Sequence, residues 1–480
     1  MRVKFAFLLC LLSLLLPLYS MAAGTSDRIA KDEAVADVHQ FFGTLQRVHP
    51  DLLAKVDVDD YIKLKQQTLD DIDKKLDQDG RISVNDLAYM LYYAAAFFGD
   101  GHTLVQWRFQ PDESNTEGKR FPPFLLGYDN GRFVVITSSN KNIERLEILM
   151  VNGKPVREFL SPILDRCSAE TFTCKAVCFI KMQSFWYCFS DLFDSAKSLT
   201  LKLQDVQGKQ SEQKVDTVGF ADFQKLISDI SAAKPDQPRE KGTRVSFLDS
   251  DRIAYLVYPS CIFSEDEKKK IDGIFEEIKS KKSQDLIIDI RGNGGGNSAM
   301  GDFIFSYLYG KKFSSFSKGR TKLSRDVQSS YCKDNETLGR ADLEGLTVTF
   351  ISGEEKNMTK PNAFFSGRSF LLVGNSTFSA AVTFTTLFRD YGVGNILGYE
   401  TGGVPICFAD VYSFKLKNSG IPCGVSYKQV LPPKPRPGDD EHGVLPEIPM
   451  DAKLLRPYRN EADPVLAFTL DHIKKTRKSH

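Results

Sequence analysis

Apolar positions change their spacing twice along the chain. Val35, Val38, Phe41, Phe42 and Leu45 recur every three or four residues, and Leu87, Met90, Leu91 and Ala94 to Phe98 repeat that spacing after a capping Ser83. This is the signature of amphipathic helices. Asp70 to Lys75, mixed acids and lysines, reads as a solvated helix face, so residues 24–107 form a small helical domain. From about residue 108 the period falls to two. Arg132 to Thr137, Leu146 to Val151 and Leu199 to Leu203 read as strands separated by the turn signals Asp129-Asn130-Gly131 and Asn152-Gly153-Lys154-Pro155. Residues 108–242 are therefore a β-rich module. From residue 243 strands and helices alternate: Arg252 to Tyr258, helix Glu265 to Lys281, the nearly unbroken apolar run Asp285 to Ile290, helix Ser298 to Tyr309, strand Phe370 to Val373 and helix Ala380 to Tyr391. Apolar runs of that kind are covered on both faces, which makes residues 243–480 an α/β core. Leu431 to Asp440 is a loop, because its four prolines exclude regular structure.

The N-terminus has a different pattern. Arg2 and Lys4 precede an apolar run from Phe5 to Leu16, followed by the small residues Ser20, Ala22 and Ala23. This is the three-part pattern of a secretory leader, residues 1–23, and the run is shorter than the ~20 residues a spanning helix needs. The expectation is an exported protein, periplasmic or secreted, without a permanent membrane anchor. Charge adds an exclusion: 63 Lys+Arg against 62 Asp+Glu leave no basic excess for a nucleic-acid partner, and losing Arg2 and Lys4 turns the formal +1 into −1. Of nine cysteines Cys10 lies in the leader, so an even number remains, which in an exported chain permits disulfides. Cys167, Cys174, Cys178 and Cys188 allow three connectivities and Cys407 with Cys423 is a further pair; free buried thiols are the alternative. Neither histidines nor cysteines show the close paired spacing of a zinc site, so no metal or cofactor is expected.

Two strand-to-helix turns are candidates for chemistry. Asp289-Ile290-Arg291-Gly292-Asn293-Gly294-Gly295-Gly296 frees backbone N–H groups to face an anion. It lacks the Lys-Ser/Thr pair of a phosphate loop and the spacing of a dinucleotide fingerprint. Val373-Gly374-Asn375-Ser376-Thr377-Phe378-Ser379-Ala380-Ala381 places a serine where a helix begins and where its N–H groups and dipole favour negative charge. Taken singly, each reads as well as an ordinary turn.

Together, in order, RIAYLVYPSCIF, DLIIDIRGNGGGN, FLLVGNSTFSAAVTFTTLFRDYGVGNILGYETGG and EHGVLPEIPM, spanning Arg252 to Met450, resemble the tail-specific (C-terminal processing) serine peptidase family. The resemblance implies a crotonase-like α/β spiral beside a PDZ-like module. LEILMVNGKPVREFLSPIL resembles part of a PDZ domain and reads equally as a β-rich spacer with one hairpin. It also implies that Ser379 is the nucleophile, which needs a neighbouring base. The lysine used by the family's best-known branch is absent: Val404 stands at or beside its place, and no lysine occurs between Arg389 and Lys415. The tricorn-like branch uses histidine, and Phe98-Gly99-Asp100-Gly101-His102-Thr103 resembles its turn, which makes His102 the general base. Glu441, before the Gly443-Val444-Leu445-Pro446 turn, matches the branch's acid, with Asp439 and Asp440 as neighbouring competitors and His442 as a spare base. The oxyanion hole would combine the N–H of Gly295, or of Gly294 or Gly296, with that of Ala380, while Arg291 fixes the turn. The expected partner is a peptide or protein substrate. A catalytically inactive peptide- or hydrophobic-ligand-binding protein on the same fold, and an esterase using the same residues, are the alternatives.

Overall fold

The computed structural model describes residues 28–107, 109, 116–182, 197–232, 242–332, 338–351 and 361–477. The leader and Cys188 lie outside them.

Three helices, α1 (Lys31–Val48), α2 (Val58–Lys74) and α3 (Val84–Ala96), follow from the helical period. Val38, Phe41, Phe42, Leu45, Leu87 and Leu91 point into one core, and Ser83 caps α3 by accepting the Asp86 N–H. Two short strands, β1 (Arg28–Ala30) and β2 (Arg81–Ser83), pair antiparallel beside them, and β3 (Leu104–Val105) leaves the turn that follows α3.

The middle module is an antiparallel sheet in the order β4 (Phe124–Asp129), β5 (Arg132–Ser138), β6 (Glu147–Val151), β8 (Ser198–Gln204) and β9 (Gln210–Asp216), with β7 (Lys154–Pro155) paired to β6. Asn152 and Gly153, both at positive φ, form the two-residue hairpin turn from β6 to β7. Helices α4 (Phe172–Met182) and α5 (Phe220–Ala232) accompany the sheet.

The third region contains β10 (Arg244–Leu248), β11 (Ile253–Val257), α6 (Glu265–Ser280), β12 (Asp285–Asp289), α7 (Ser298–Ser306), β13 (Lys318–Lys322), β14 (Thr347–Ile351), β15 (Arg368–Val373), α8 (Ala380–Tyr391), β16 (Gly394–Gly398), β17 (Cys407–Lys415), β18 (Pro422–Leu431), β19 (Ile448–Pro449) and α9 (Pro464–Arg477). Its sheet runs β10-β11-β12-β15-β16-β19, parallel from β11 onward. The period of two sorts its side chains. Leu256, Leu286, Ile288, Leu371, Val373 and Ile396 pack with α6, α7 and α8 on one face, whereas Ile253, Ile287, Phe370, Leu372 and Leu397 pack with Met450 and α9 on the other. This is the expected α/β class.

A second sheet, β14-β13-β18-β17, accepts β3 on β18 and shares one apolar cluster with α1, α3 and the middle module. Cys167, Cys174, Cys178, Cys261, Cys407 and Cys423 are free thiols. The Cys407–Cys423 pairing is excluded by register: Cys407 faces Val430 and Cys423 faces Phe414. At about 3.4 Å per residue that separation far exceeds the reach of a disulfide.

Candidate active site

Ser379 ends the turn after β15 and adopts φ 53°, ψ −126°. Left-handed backbone is costly for a residue with a Cβ, by about 1–3 kcal/mol, and it projects the hydroxyl outward from the start of α8. Neighbouring bonds hold the strain in place. Thr377 Oγ1 donates to the Ile290 carbonyl at 2.9 Å and accepts from the Gly374 N–H at 3.0 Å, while the Phe378 N–H donates to the Asn293 carbonyl at 3.0 Å.

Asn293 thereby joins the two turns. Its Nδ2 donates to the Tyr258 carbonyl at 2.9 Å and its Oδ1 accepts the Gly295 N–H at 2.9 Å. Gly295, at φ 101°, lies directly on the serine turn: a Cβ there would stand 2.7 Å from Ser379 Cβ and 2.8 Å from the Phe378 carbonyl oxygen. The sequence named Gly295 first as an oxyanion donor, but its N–H is committed to Asn293. Gly294, Gly296 and Ala380 have N–H groups with no partner among the described residues, and Ala380 opens α8. Arg291 fixes the turn, as expected, by gripping Asp289 and Asp463.

His102 enters on the turn between α3 and β3. Its Nε2 stands 3.0 Å from Ser379 Oγ and its ring stacks on Phe378 with centroids 4.9 Å apart. The turn is clamped by Asp100. Oδ1 accepts the His102 N–H at 2.9 Å, and Oδ2 receives Thr103 Oγ1 at 2.5 Å, Ser426 Oγ at 2.7 Å and His49 Nε2 at 3.3 Å. Burial alone would raise the Asp100 carboxyl. The His49 hydrogen bond, the charges of His49 and His102 and the Thr103 hydroxyl outweigh it and hold Asp100 well below the usual carboxylate range.

The structure does not bring Glu441 to His102. Of the three consecutive acids, Asp439 turns inward onto Arg389, with contacts of 2.6 and 3.0 Å, while Asp440 and Glu441 are left exposed. His442 is also exposed, its Nδ1 on the Gly443 carbonyl. The second carboxylate beside His102 is Glu170, which precedes α4 and accepts the Gly101 N–H at 3.1 Å. One donor atom from each of Asp100, His102 and Glu170 lies within 4.8 Å of the other two. Burial pushes the Glu170 carboxyl up, His102 pulls it back and Asp100 pushes it further. Asp100 could have been read from its Asp-Gly-His-Thr turn, since an aspartate there bonds the backbone two residues on. Glu170 carries no such local signal.

The model of peptidase family S41 matches residues 252–450. Among solved structures, mature CPAF complexed with lactacystin is 17% identical, covers 93% of this chain and 98% of its own, and superposes with a TM-score of 0.58. A second structure of mature CPAF is 16% identical, covers 93% and 97%, and has the same TM-score of 0.58. The photosystem II D1 C-terminal processing protease is 14% identical over 89% of this chain and 95% of its own, with a TM-score of 0.38. No curated protein matches the chain. At these identities the two CPAF superpositions speak for the fold alone, and the family match covers the segment that carries both turns. Over residues 252–450 the chain is thus similar to peptidase family S41, and its fold is similar to that of mature CPAF.

Proposed function

We propose that this protein is an exported serine peptidase that hydrolyses peptide bonds through an acyl-enzyme on Ser379. The observation that carries the reading is the 3.0 Å approach of His102 Nε2 to the hydroxyl of a serine held at positive φ on a helix N-terminus. Ser379 Oγ attacks the substrate carbonyl carbon as its proton passes to His102 Nε2. The oxygen becomes an oxyanion facing the Ala380 N–H and a free N–H of the glycine turn, Gly296 or Gly294. One such donor is worth about 2.7–4 kcal/mol in the transition state. His102 returns the proton to the leaving amine, and water deprotonated by the same nitrogen then cleaves the acyl ester. The leader pattern at residues 1–23 supports export, and with it a peptide or protein substrate outside the cytoplasm.

The test is labelling by a serine-directed fluorophosphonate alongside hydrolysis of an unstructured peptide. The parent is expected to react in both assays at neutral to mildly alkaline pH, and Ser379→Ala in neither. Labelling that persists in Ser379→Ala, or an unreactive parent, removes the assignment and leaves a non-hydrolytic binding protein. Labelling with ester but no peptide turnover makes it an esterase.

A further inference from the structure

Two buried polar atoms without partners mark one place beside the proposed site. They are His102 Nδ1 and Glu170 Oε2. Unpaired buried polar atoms are uncommon in folded proteins, and two of complementary type on adjoining side chains call for a common explanation. Asp100 does not provide it, because its two oxygens already accept from four groups. Glu441 does not provide it either, because its side chain is exposed whereas His102 Nδ1 is buried.

Glu170 is in contrast held for the purpose. Its Oε1 is tied to the Gly101 N–H, adjacent to His102, and its loop is pinned by Thr171 Oγ1 on the Gly402 carbonyl at 3.2 Å. Thr171 also caps α4 by accepting the Cys174 N–H at 3.1 Å. Gly101 keeps the approach open: a Cβ there would stand 2.8 Å from Glu170 Oε2.

We propose that Glu170 is the residue that positions His102: its Oε2 and His102 Nδ1, which lie beside each other unbonded in this structure, close into an Nδ1–H···Oε2 hydrogen bond in the working site. This rests on the Ser379–His102 reading and adds the member that orients the base. A proton fixed on Nδ1 leaves the Nε2 lone pair toward Ser379 Oγ, the tautomer a general base requires. When Nε2 takes the serine proton, Nδ1 keeps its own, and the adjacent carboxylate stabilises the imidazolium without itself being protonated. The charged and titratable groups around the Glu170 carboxyl are His102 and Asp100 from the turn, Cys174 from the following helix α4 and Cys407 from β17, with His49 behind Asp100. Burial resists the charge on Glu170 and His102 favours it, so the carboxylate and the imidazolium support each other.

The test follows the His102 ring by NMR of the full-length protein labelled in histidine, with His102→Gln assigning the signal. Glu170→Gln is expected to move the His102 titration midpoint to lower pH by about one unit, since an adjacent anion that favours imidazolium is gone. Glu441→Gln should leave it at the parental value, and Glu170→Asp, which keeps the charge, should return it most of the way. In the peptide assay Glu170→Gln should lower kcat by about 10²–10⁴-fold with KM nearly unchanged, and move the acid limb of kcat/KM to lower pH. An unmoved midpoint in Glu170→Gln, or a midpoint and kcat that respond to Glu441→Gln instead, overturns the inference. The NMR midpoint needs no turnover, so this failure is distinguishable from loss of the Ser379 assignment, which the fluorophosphonate reports.

Discussion

Ser379 combines two properties that a purely structural residue would not need together: a hydroxyl 3.0 Å from an imidazole and a backbone that only glycine adopts freely. The strain makes a prediction separate from chemistry. Ser379→Gly should be more stable than Ser379→Ala by about 1 kcal/mol, although both lack the hydroxyl, because alanine keeps the Cβ that opposes φ 53°. Urea denaturation of the two variants measures the difference, and equal midpoints would mean that the backbone there is relaxed. At this scale the site was partly legible. Ser379 and His102 stand in short runs whose neighbours disclose them, the first between Asn375 and Ala381 and the second after Asp100. Glu170 is a lone acid among cysteines and threonines, and its contact with Gly101 depends on how α4 packs. No local period carries that information. The branch-derived acid, Glu441, failed for a related reason: Asp439 takes the inward place through Arg389, and the next two acids turn to solvent.

Between elements, the decisive contact is that of two strand-to-helix turns, one after β12 and one after β15. β12 and β15 are adjacent and parallel, Ile288 opposite Leu371 and Asp289 opposite Leu372, so their C-terminal ends deliver the two turns side by side. Gly295 lets them touch. Gly295→Ala is expected to lose fluorophosphonate labelling by at least tenfold and to lower stability. Its Cβ would meet the Phe378 carbonyl oxygen at 2.8 Å and its φ of 101° disfavours any side chain. Parental labelling in that variant would show that the turns can separate without harm to the site. The strands and helices that build this arrangement were readable because buried parallel strands are apolar throughout; α8 begins and ends where its pattern does. The hairpin β17–β18 was not readable. Its residues mix Phe408, Val411, Tyr412 and Phe414 with Asp410, Ser413 and Lys415 on a half-exposed surface, which blurs the alternation. Yet β18 carries β3, and β3 carries His102 into place.

Over the whole molecule, the proposed base His102 and the proposed nucleophile Ser379 arrive from opposite parts of the chain, so their meeting depends on ties that cross the fold. The strongest tie under the glycine turn is Arg291. Its Nε reaches both Asp289 oxygens at 3.0 and 3.1 Å, and its two terminal nitrogens reach Asp463 at 2.9 and 2.6 Å. Asp289 is buried and also accepts the Tyr255 hydroxyl at 2.7 Å. Burial alone would raise the Asp289 carboxyl, and the Arg291 charge and hydrogen bonds hold it low. Asp463 stands just before α9, the helix whose Val465, Thr469 and Ile473 cover the second face of the sheet. Arg291 therefore links the turn that faces Ser379 to the last helix of the described chain. Removing the guanidinium strands a buried carboxylate, which typically costs about 3–5 kcal/mol. Asp463 is 31% exposed at its side chain, so water replaces much of what its loss would forfeit. Arg291→Leu should thus unfold in urea at a clearly lower midpoint than Asp463→Ala, and Arg291→Leu combined with Asp289→Leu should recover part of the loss, since no buried charge is then left unpaired. Equal midpoints for Arg291→Leu and Asp463→Ala would instead assign the anchoring to α9 itself, with the glycine turn held from the outside of the sheet rather than through the Asp289 beneath it.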